Sequence, residues 1–339
     1  MGNEHAPNKA AGTDGSATQE DNGDEAEKDA DGTTERPAAS TGARQNASDL
    51  EQTCDFGLQE VFQPGATVLD KYRVIELIAS GGVGSVYRVQ HLPIGSDFAL
   101  KCLNRCQPDE ALWRRFQNET RAAQKLDHQH FTKVHEFGLL PSGRPYFVMD
   151  LVRGITLSDE IKKLGVLPIS RAVKIFIQVG FAISYAHDNG IIHRDIKPSN
   201  IMLIDVADHS TNDFVRVVDL GIAKLTGQDE FNQQTLTKTG EIFGSPLYMS
   251  PEQCKGLGVD HRSDLYSLGC VMYEALTGAP PLIGDTALAT MMKHQSEKPL
   301  TLQEASLGRK FPPLLEMIVE KLLEKDREKR YQTAKALVA

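Results

Sequence analysis

The apolar positions divide the chain into three stretches. Residues 1–55 contain no Ile, Val, Phe, Tyr or Trp, and Leu50 is the only large aliphatic residue after the initiator methionine. Such a stretch cannot bury enough apolar surface to offset the entropy of ordering it, so residues 1–60 are expected to be a disordered extension. Order is expected from about Phe62. Tyr72–Ile78 and Ser85–Gln90 are β-rich runs on either side of Gly81-Gly82-Val83-Gly84, and Phe98–Leu103 is a third. Pro108-Asp109-Glu110 then opens a predicted helix, acidic in its first turn and with Lys125 in its last. Val134–Gly138 and Tyr146–Met149 read as further strands.

After Gly154 the pattern turns helical. Arg171–His187 is too apolar for a surface helix and is expected to form the spine of a second lobe. Two short strands, Ile201–Ile204 and Phe214–Val218, follow. Ser263–Thr277 predicts another core helix, begun by Ser/Asp caps and ended by Gly278. Phe311–Lys325 and the residues from Tyr331 onward supply the last helices, and there is no internal repeat.

Composition narrows the class. The 339 residues are 40% hydrophobic and 24% charged, which excludes collagen, an ordinary coiled coil and a wholly disordered chain. The net charge of −9 is uneven: residues 1–60 carry 14 Asp/Glu against 4 Lys/Arg, so the remainder is close to neutral. A near-neutral body argues against a nucleic-acid partner, which needs a basic face. Five cysteines without CxxC spacing read as reduced thiols, and a cytoplasmic location is expected. The longest apolar run, Leu265–Gly284, contains Glu274 and two prolines, so it is expected to be a buried helix rather than a membrane span. Gly2 is followed by Ala6 where myristoylation wants Ser or Thr, and no signal peptide is visible.

The candidate chemistry begins at the glycines. No Gly-Lys-Ser/Thr is present, and Ser85–Val89 continues as a strand where a dinucleotide fold needs a helix, so the loop caps a hairpin. Backbone N–H groups freed of side chains can approach phosphate oxygens there. Lys101 ends an apolar strand. In the following helix Leu112, Phe116, Glu119, Ala123 and Leu126 fall on one face, and a carboxylate within an apolar stripe needs a partner, for which Lys101 is the best candidate. His193-Arg194-Asp195-Ile196-Lys197-Pro198-Ser199-Asn200 gathers two cations, an acid and an amide in one segment, and Asp219 sits where a strand breaks. Asn200 and Asp219 offer the hard oxygen ligands that Mg²⁺ takes alongside phosphates.

In this order, Ile78–Val86, Phe98–Lys101, Glu119, His193–Asn200, Asp219-Leu220-Gly221 and Ser250-Pro251-Glu252 resemble the signature set of protein kinases. Arg115-Phe116, Leu126-Asp127-His128, Tyr248–Gln253 and Arg262–Gly269 look like the bacterial branch of eukaryotic-type Ser/Thr kinases. The resemblance implies an α+β, two-lobed fold over residues 61–339, with a β-rich N-lobe at about 70–152 and a helical C-lobe at about 153–339. It implies a Ser/Thr kinase that uses ATP and Mg²⁺ on protein substrates.

Position by position, the resemblance gives Asp195 the substrate proton and Lys197 the γ-phosphate. Asn200 and Asp219 would hold the metal, and Lys101 would hold the α- and β-phosphates while paired with Glu119. Ile78, Ala79, Ser80, Gly81, Gly82, Val83, Gly84 and Ser85 would cover the nucleotide. Val86, Ala99 and Met202 would sandwich adenine, Met149 would be the gatekeeper, and the Asp150–Val152 backbone would meet the base edge. Glu252 would pair with Arg330, and Asp264 would brace the catalytic loop. Thr237, Thr239 and Ser245, with Arg194, would form a phosphorylation switch, for which a homodimer could act in trans. The sequence departs from the pattern at Ala79 (first loop glycine), Leu220 (usually Phe), Ser250 (usually Ala) and Arg327 (often Pro). A pseudokinase acting as an ATP-binding scaffold is the rival reading.

Overall fold

A computed structural model of the chain describes residues 62–104, 110–204, 213–221 and 246–339. Strands β1 (Thr67–Val68), β2 (Tyr72–Gly81), β3 (Gly84–His91), β4 (Asp97–Leu103), β5 (Val134–Leu139) and β6 (Pro145–Asp150) form one antiparallel sheet in the order β1-β2-β3-β4-β6-β5. Helix α1 (Glu110–Gln124) lies between β4 and β5 in sequence and packs on β5. Lys125 falls just past the end of α1, so Arg121 is the base of its last turn.

The sheet has a core on each face, which is why β4 reads as a continuous apolar run. Leu100 and Cys102 join Tyr72, Val74, Tyr87 and Val148 on one side; Ala99 and Leu103 join Phe116, Phe147 and Met149 on the other. Strand alternation therefore puts Lys101 on the second face, with Ala99 and Leu103. β2 runs farther than its apolar pattern suggests. Ala79, Ser80 and Gly81 stay paired with Val86, Ser85 and Gly84, leaving Gly82 and Val83 as the turn. Gly84 is a steric requirement, since a Cβ there would lie 2.2 Å from the Cys102 carbonyl oxygen.

After Asp150 the chain becomes mainly helical: β7 (Ile155–Thr156), α2 (Leu157–Leu164), α3 (Ile169–Asp188), β8 (Ile201–Ile204), β9 (Phe214–Val217), α4 (Pro251–Cys254), α5 (His261–Thr277), α6 (Ala287–Ser296), α7 (Leu302–Ala305), α8 (Pro313–Leu322) and α9 (Ala334–Val338). The three strands form a small antiparallel sheet, β7-β8-β9.

Helix α3 buries Ala172, Ile175, Phe176, Val179, Ala182, Ile183 and Ala186, the three-and-four spacing of a core stripe. Each large side chain so buried contributes about 1.5–3 kcal/mol. Among the described residues α3 is the one helix long and apolar enough to cross a membrane, but it packs on α5, α9 and β9. Helix α5 starts two residues before the expected Ser263, because Asp260 rather than a later residue accepts the Arg262 N–H as N-cap. It ends as expected at Gly278, whose φ of +87° suits a residue without Cβ. Helix α2 is additional to the elements expected from the sequence; Thr156 caps it by accepting the Asp159 N–H, and acids fill its first turn. Cys102, Cys254 and Cys270 are buried thiols, and burial pushes the Cys254 thiol up to about 12, which leaves it inert.

Candidate active site

Strand β4, helix α1, the loop after α3 and the residues after β9 each bring a charged side chain to the candidate site. The Lys101 ammonium, in a side chain 11% exposed, lies 2.6 Å from Asp219 Oδ2 and 5.7 Å from the centre of the Phe147 ring, its cross-strand neighbour. Glu119, on α1, does not take Lys101 as expected. Its carboxylate oxygens instead receive the Arg194 guanidinium at 3.1 and 3.2 Å. Two cations and two carboxylates lie in these segments, and they pair Lys101 with Asp219 and Arg194 with Glu119. A compact ammonium is satisfied by one oxygen of Asp219, whereas a guanidinium nitrogen reaches both oxygens of Glu119.

The segment after α3 is built as a frame for Asp195. Asp264, at the buried start of α5, accepts the backbone N–H groups of His193 and Arg194 at 2.8 and 2.7 Å and the His187 ring at 2.8 Å. Burial works to raise the Asp264 pKa, but the His187 hydrogen bond and charge, with His193, hold it below the usual value. Gln253, on α4, donates to the Arg194 carbonyl at 3.2 Å. Arg194 has φ +63° and Asp219 φ +59°, left-handed conformations worth about 1–3 kcal/mol of strain each. Hydrogen bonds on both sides of Arg194 hold its conformation.

His193 locks this frame to the strand that ends at Asp219. Complete burial pushes its pKa down against the charges of Asp264 and Asp195, so the ring is neutral. Its Nε2 then donates to the Val218 carbonyl at 3.3 Å and its Nδ1 accepts the Asp195 N–H at 3.3 Å. The Gly221 N–H donates to the His193 carbonyl at 2.9 Å, and a Cβ on Gly221 would sit 2.5 Å from that oxygen. Only glycine allows this approach.

Asp195 carries its neighbours with it. Lys197 Nζ lies 2.8 Å from Asp195 Oδ2, and Asn200 Nδ2 donates to the Asp195 carbonyl at 2.8 Å and to Oδ2 at 3.0 Å. With its nitrogen committed, Asn200 has its side-chain oxygen left for a cation. Asp219 Oδ1 is buried and has no hydrogen-bond partner among the described residues. Two hard oxygens of this kind fit Mg²⁺, which binds through one or two protein ligands and phosphates. Above them, Ala99 pairs with Met149 across the sheet, and Val86 packs against the same core. Val152 follows β6, and Met202 lies on β8. Ile78 is 49% exposed on β2, and Ser80 Oγ lies 3.1 Å from Ser85 Oγ in the cross-strand pair next to the last one before the turn. Thr237, Thr239 and Ser245 lie outside the described residues.

The segment beyond the cleft rests on Glu252 and Arg330, which are buried and joined by two hydrogen bonds of 2.8 and 2.9 Å. Residues 72–339 match the protein kinase domain family. The chain belongs to the protein kinase family. Over this domain it is of the bacterial serine/threonine type. The kinase is 37% identical over 276 residues to the serine/threonine-protein kinase pkn3 of Myxococcus xanthus, a match covering 81% of this chain and 50% of pkn3. It is 38% identical over 269 residues to the serine/threonine-protein kinase PknB of Mycolicibacterium smegmatis, covering 78% of this chain and 41% of PknB. The chain thus spans half or less of the length of these curated relatives. The crystal structure of the Mycobacterium tuberculosis PknI kinase domain superposes with a TM-score of 0.62 at 27% identity, covering 82% of this chain and 97% of that one. That of Rad53 1-466 in complex with AMP-PNP, 23% identical, shares the fold with a TM-score of 0.63, covering 80% and 66%.

Sequence reasoning alone did not single out the roles of His187 and Gln253, which support the frame, or the Arg194–Glu119 pair. His187 belongs to the apolar helix run, where a histidine reads as core. Gln253 forms a capping box with Ser250, and that Ser-Pro-Glu-Gln signal is visible in the sequence, but its second bond to Arg194 is not.

Proposed function

We propose that this kinase transfers the γ-phosphoryl group of ATP to serine or threonine hydroxyls of protein substrates. The observation that carries the reading is the group around Asp195: a carboxylate oriented by Asn200, with the Lys197 ammonium on the same oxygen and Asp219 at the facing strand end. Asp195 accepts the proton of the incoming hydroxyl, and Lys197 offsets negative charge building on the transferred group. Lys101 orients the α- and β-phosphates. Asn200 and Asp219 hold Mg²⁺, which when bound neutralises charge on the phosphate oxygens. A pseudokinase would be expected to lack one of Lys101, Asp195, Asn200 or Asp219, and all four are present.

The observed pairing supports a regulated enzyme. Arg194 is occupied by Glu119, and a phosphate on Thr237 or Thr239, bringing about −1.5 to −2 charges, competes for that guanidinium. Glu119 then turns to Lys101, and Asp219 would turn to the metal. Autophosphorylation between two copies of the chain is the simplest source of that phosphate. Incubating the chain with labelled ATP and Mg²⁺ and mapping phosphosites by mass spectrometry tests the reading; phosphoserine or phosphothreonine is expected on the chain or on an added protein. Nucleotide binding without any transfer favours the scaffold instead.

A further inference from the structure

The tip of the glycine hairpin is held by a residue outside it. Asn104, the first residue after β4, donates its backbone N–H to the Val83 carbonyl at 3.1 Å. Its side-chain amide donates to the carbonyls of Gly81 and Gly82 at 2.9 and 3.2 Å. Three successive carbonyls thus end on one residue. The amide is itself fixed, because Asn104 Oδ1 accepts from Arg144 Nη2 at 2.9 Å. Arg144 is 7% exposed and is anchored through Nε on the Leu103 carbonyl at 3.1 Å.

The direction of this clamp matters for phosphate. Ala99, Lys101 and Leu103 share the cleft-side face of β4, so Asn104 continues the opposite face of Leu100 and Cys102. In a trans peptide the C=O of one residue and the N–H of the next point opposite ways. Carbonyls of Gly81 and Gly82 drawn toward Asn104 therefore turn the N–H groups of Gly82 and Val83 toward the face that carries Lys101. We infer that Asn104, oriented by Arg144, is a positioning residue that presents the hairpin N–H groups to the phosphates of the nucleotide, a role that rests on the ATP reading above. It gives the tip an external hold in a hairpin whose first loop glycine is replaced by Ala79.

The test compares ATP with adenosine, which lacks phosphates, in binding titrations of the full chain. Asn104→Ala removes both side-chain bonds. Asn104→Asp keeps the shape and the acceptor for Arg144 but has no donor. Each variant is expected to weaken ATP binding, and to raise KM for ATP, about 5- to 30-fold, the worth of two modest hydrogen bonds. Adenosine affinity should stay within about twofold, and Arg144→Met should reproduce part of the ATP loss. Wild-type ATP affinity in Asn104→Ala overturns the inference. So does an equal loss for ATP and adenosine, which marks a general defect of the cleft. A wild-type chain that binds neither ligand instead overturns the phosphotransfer reading, and the inference with it.

Discussion

Replacing Arg330 by methionine isolates what the buried ion pair contributes. The guanidinium has five N–H groups and makes five hydrogen bonds: two to Glu252, and one each to the carbonyls of Glu324, Arg262 and Lys325. Its side chain is fully buried, that of Glu252 is 6% exposed, and the guanidinium lies over the Tyr266 ring. Arg330→Met therefore strands a buried carboxylate and removes a donor from three carbonyls. Breaking such a pair costs about 3–5 kcal/mol. For a domain of this size that is a fall in Tm of roughly 6–10 °C, at about 2 °C per kcal/mol.

Acid should close the gap. Burial pushes the Glu252 pKa up, but the Arg330 hydrogen bonds and charge, helped by Ser263, more than reverse this and hold it low. A carboxyl whose pKa is lower folded than unfolded stabilises the fold above about pH 4.3, and that contribution disappears as pH falls through the folded value. In Arg330→Met the largest opposing contribution to burial is gone and only the Ser263 and backbone hydrogen bonds still favour the carboxylate, so the variant gains relative to wild type as Glu252 protonates. Thermal and urea unfolding of both proteins between pH 7 and pH 4 would measure this. Pairing Arg330→Met with Glu252→Leu should recover part of the loss, because removing both charges leaves none stranded. A melting temperature for Arg330→Met within about 2 °C of wild type, or a double variant as damaged as the sum of the singles, would refute the reasoning.

Three further outcomes are expected. Asp195→Asn and Lys101→Met should each lower phosphoryl transfer by at least about 100-fold with the fold intact by circular dichroism; wild-type rates in either would remove the assigned roles. Gly221→Ala places a Cβ 2.5 Å from the His193 oxygen and should cut kcat at least about tenfold while costing about 1–3 kcal/mol of stability, read by a paired kinetic and melting assay. Changing Thr237 and Thr239 together to Ala should lower activity beyond about threefold, and unchanged turnover, or active enzyme without phosphate on residues 230–245, would discard the switch.

Much of this was legible along the chain. The β8 strand Ile201–Ile204 matches its apolar run, Phe116 and Ala123 of α1 are buried as their helical spacing requires, and Lys101 lies on the cleft side of a two-faced strand. These features depend on local period and on whether a side chain leaves water, and sequence encodes both directly. The order of the kinase signatures likewise placed Asp195, Asn200 and Asp219 near one another, and the brace at Asp264 and the Glu252–Arg330 pair are found in the structure.

What sequence did not settle is which charge takes which partner. Lys101 had two carboxylates to choose from, Glu119 had two cations, and the structure resolved both choices against the expected pair. Nothing in the local sequence marks Asn104, whose contacts with the hairpin arise only where the chain brings the two together. The difference is one of range. Patterns of three, four or two residues fix helices and strands, whereas an ion pair between residues 75 positions apart depends on how separate elements pack. Coulomb attraction and hydrogen bonding change steeply over an ångström or two, so tertiary packing, which sets those last ångströms, decides the pairing.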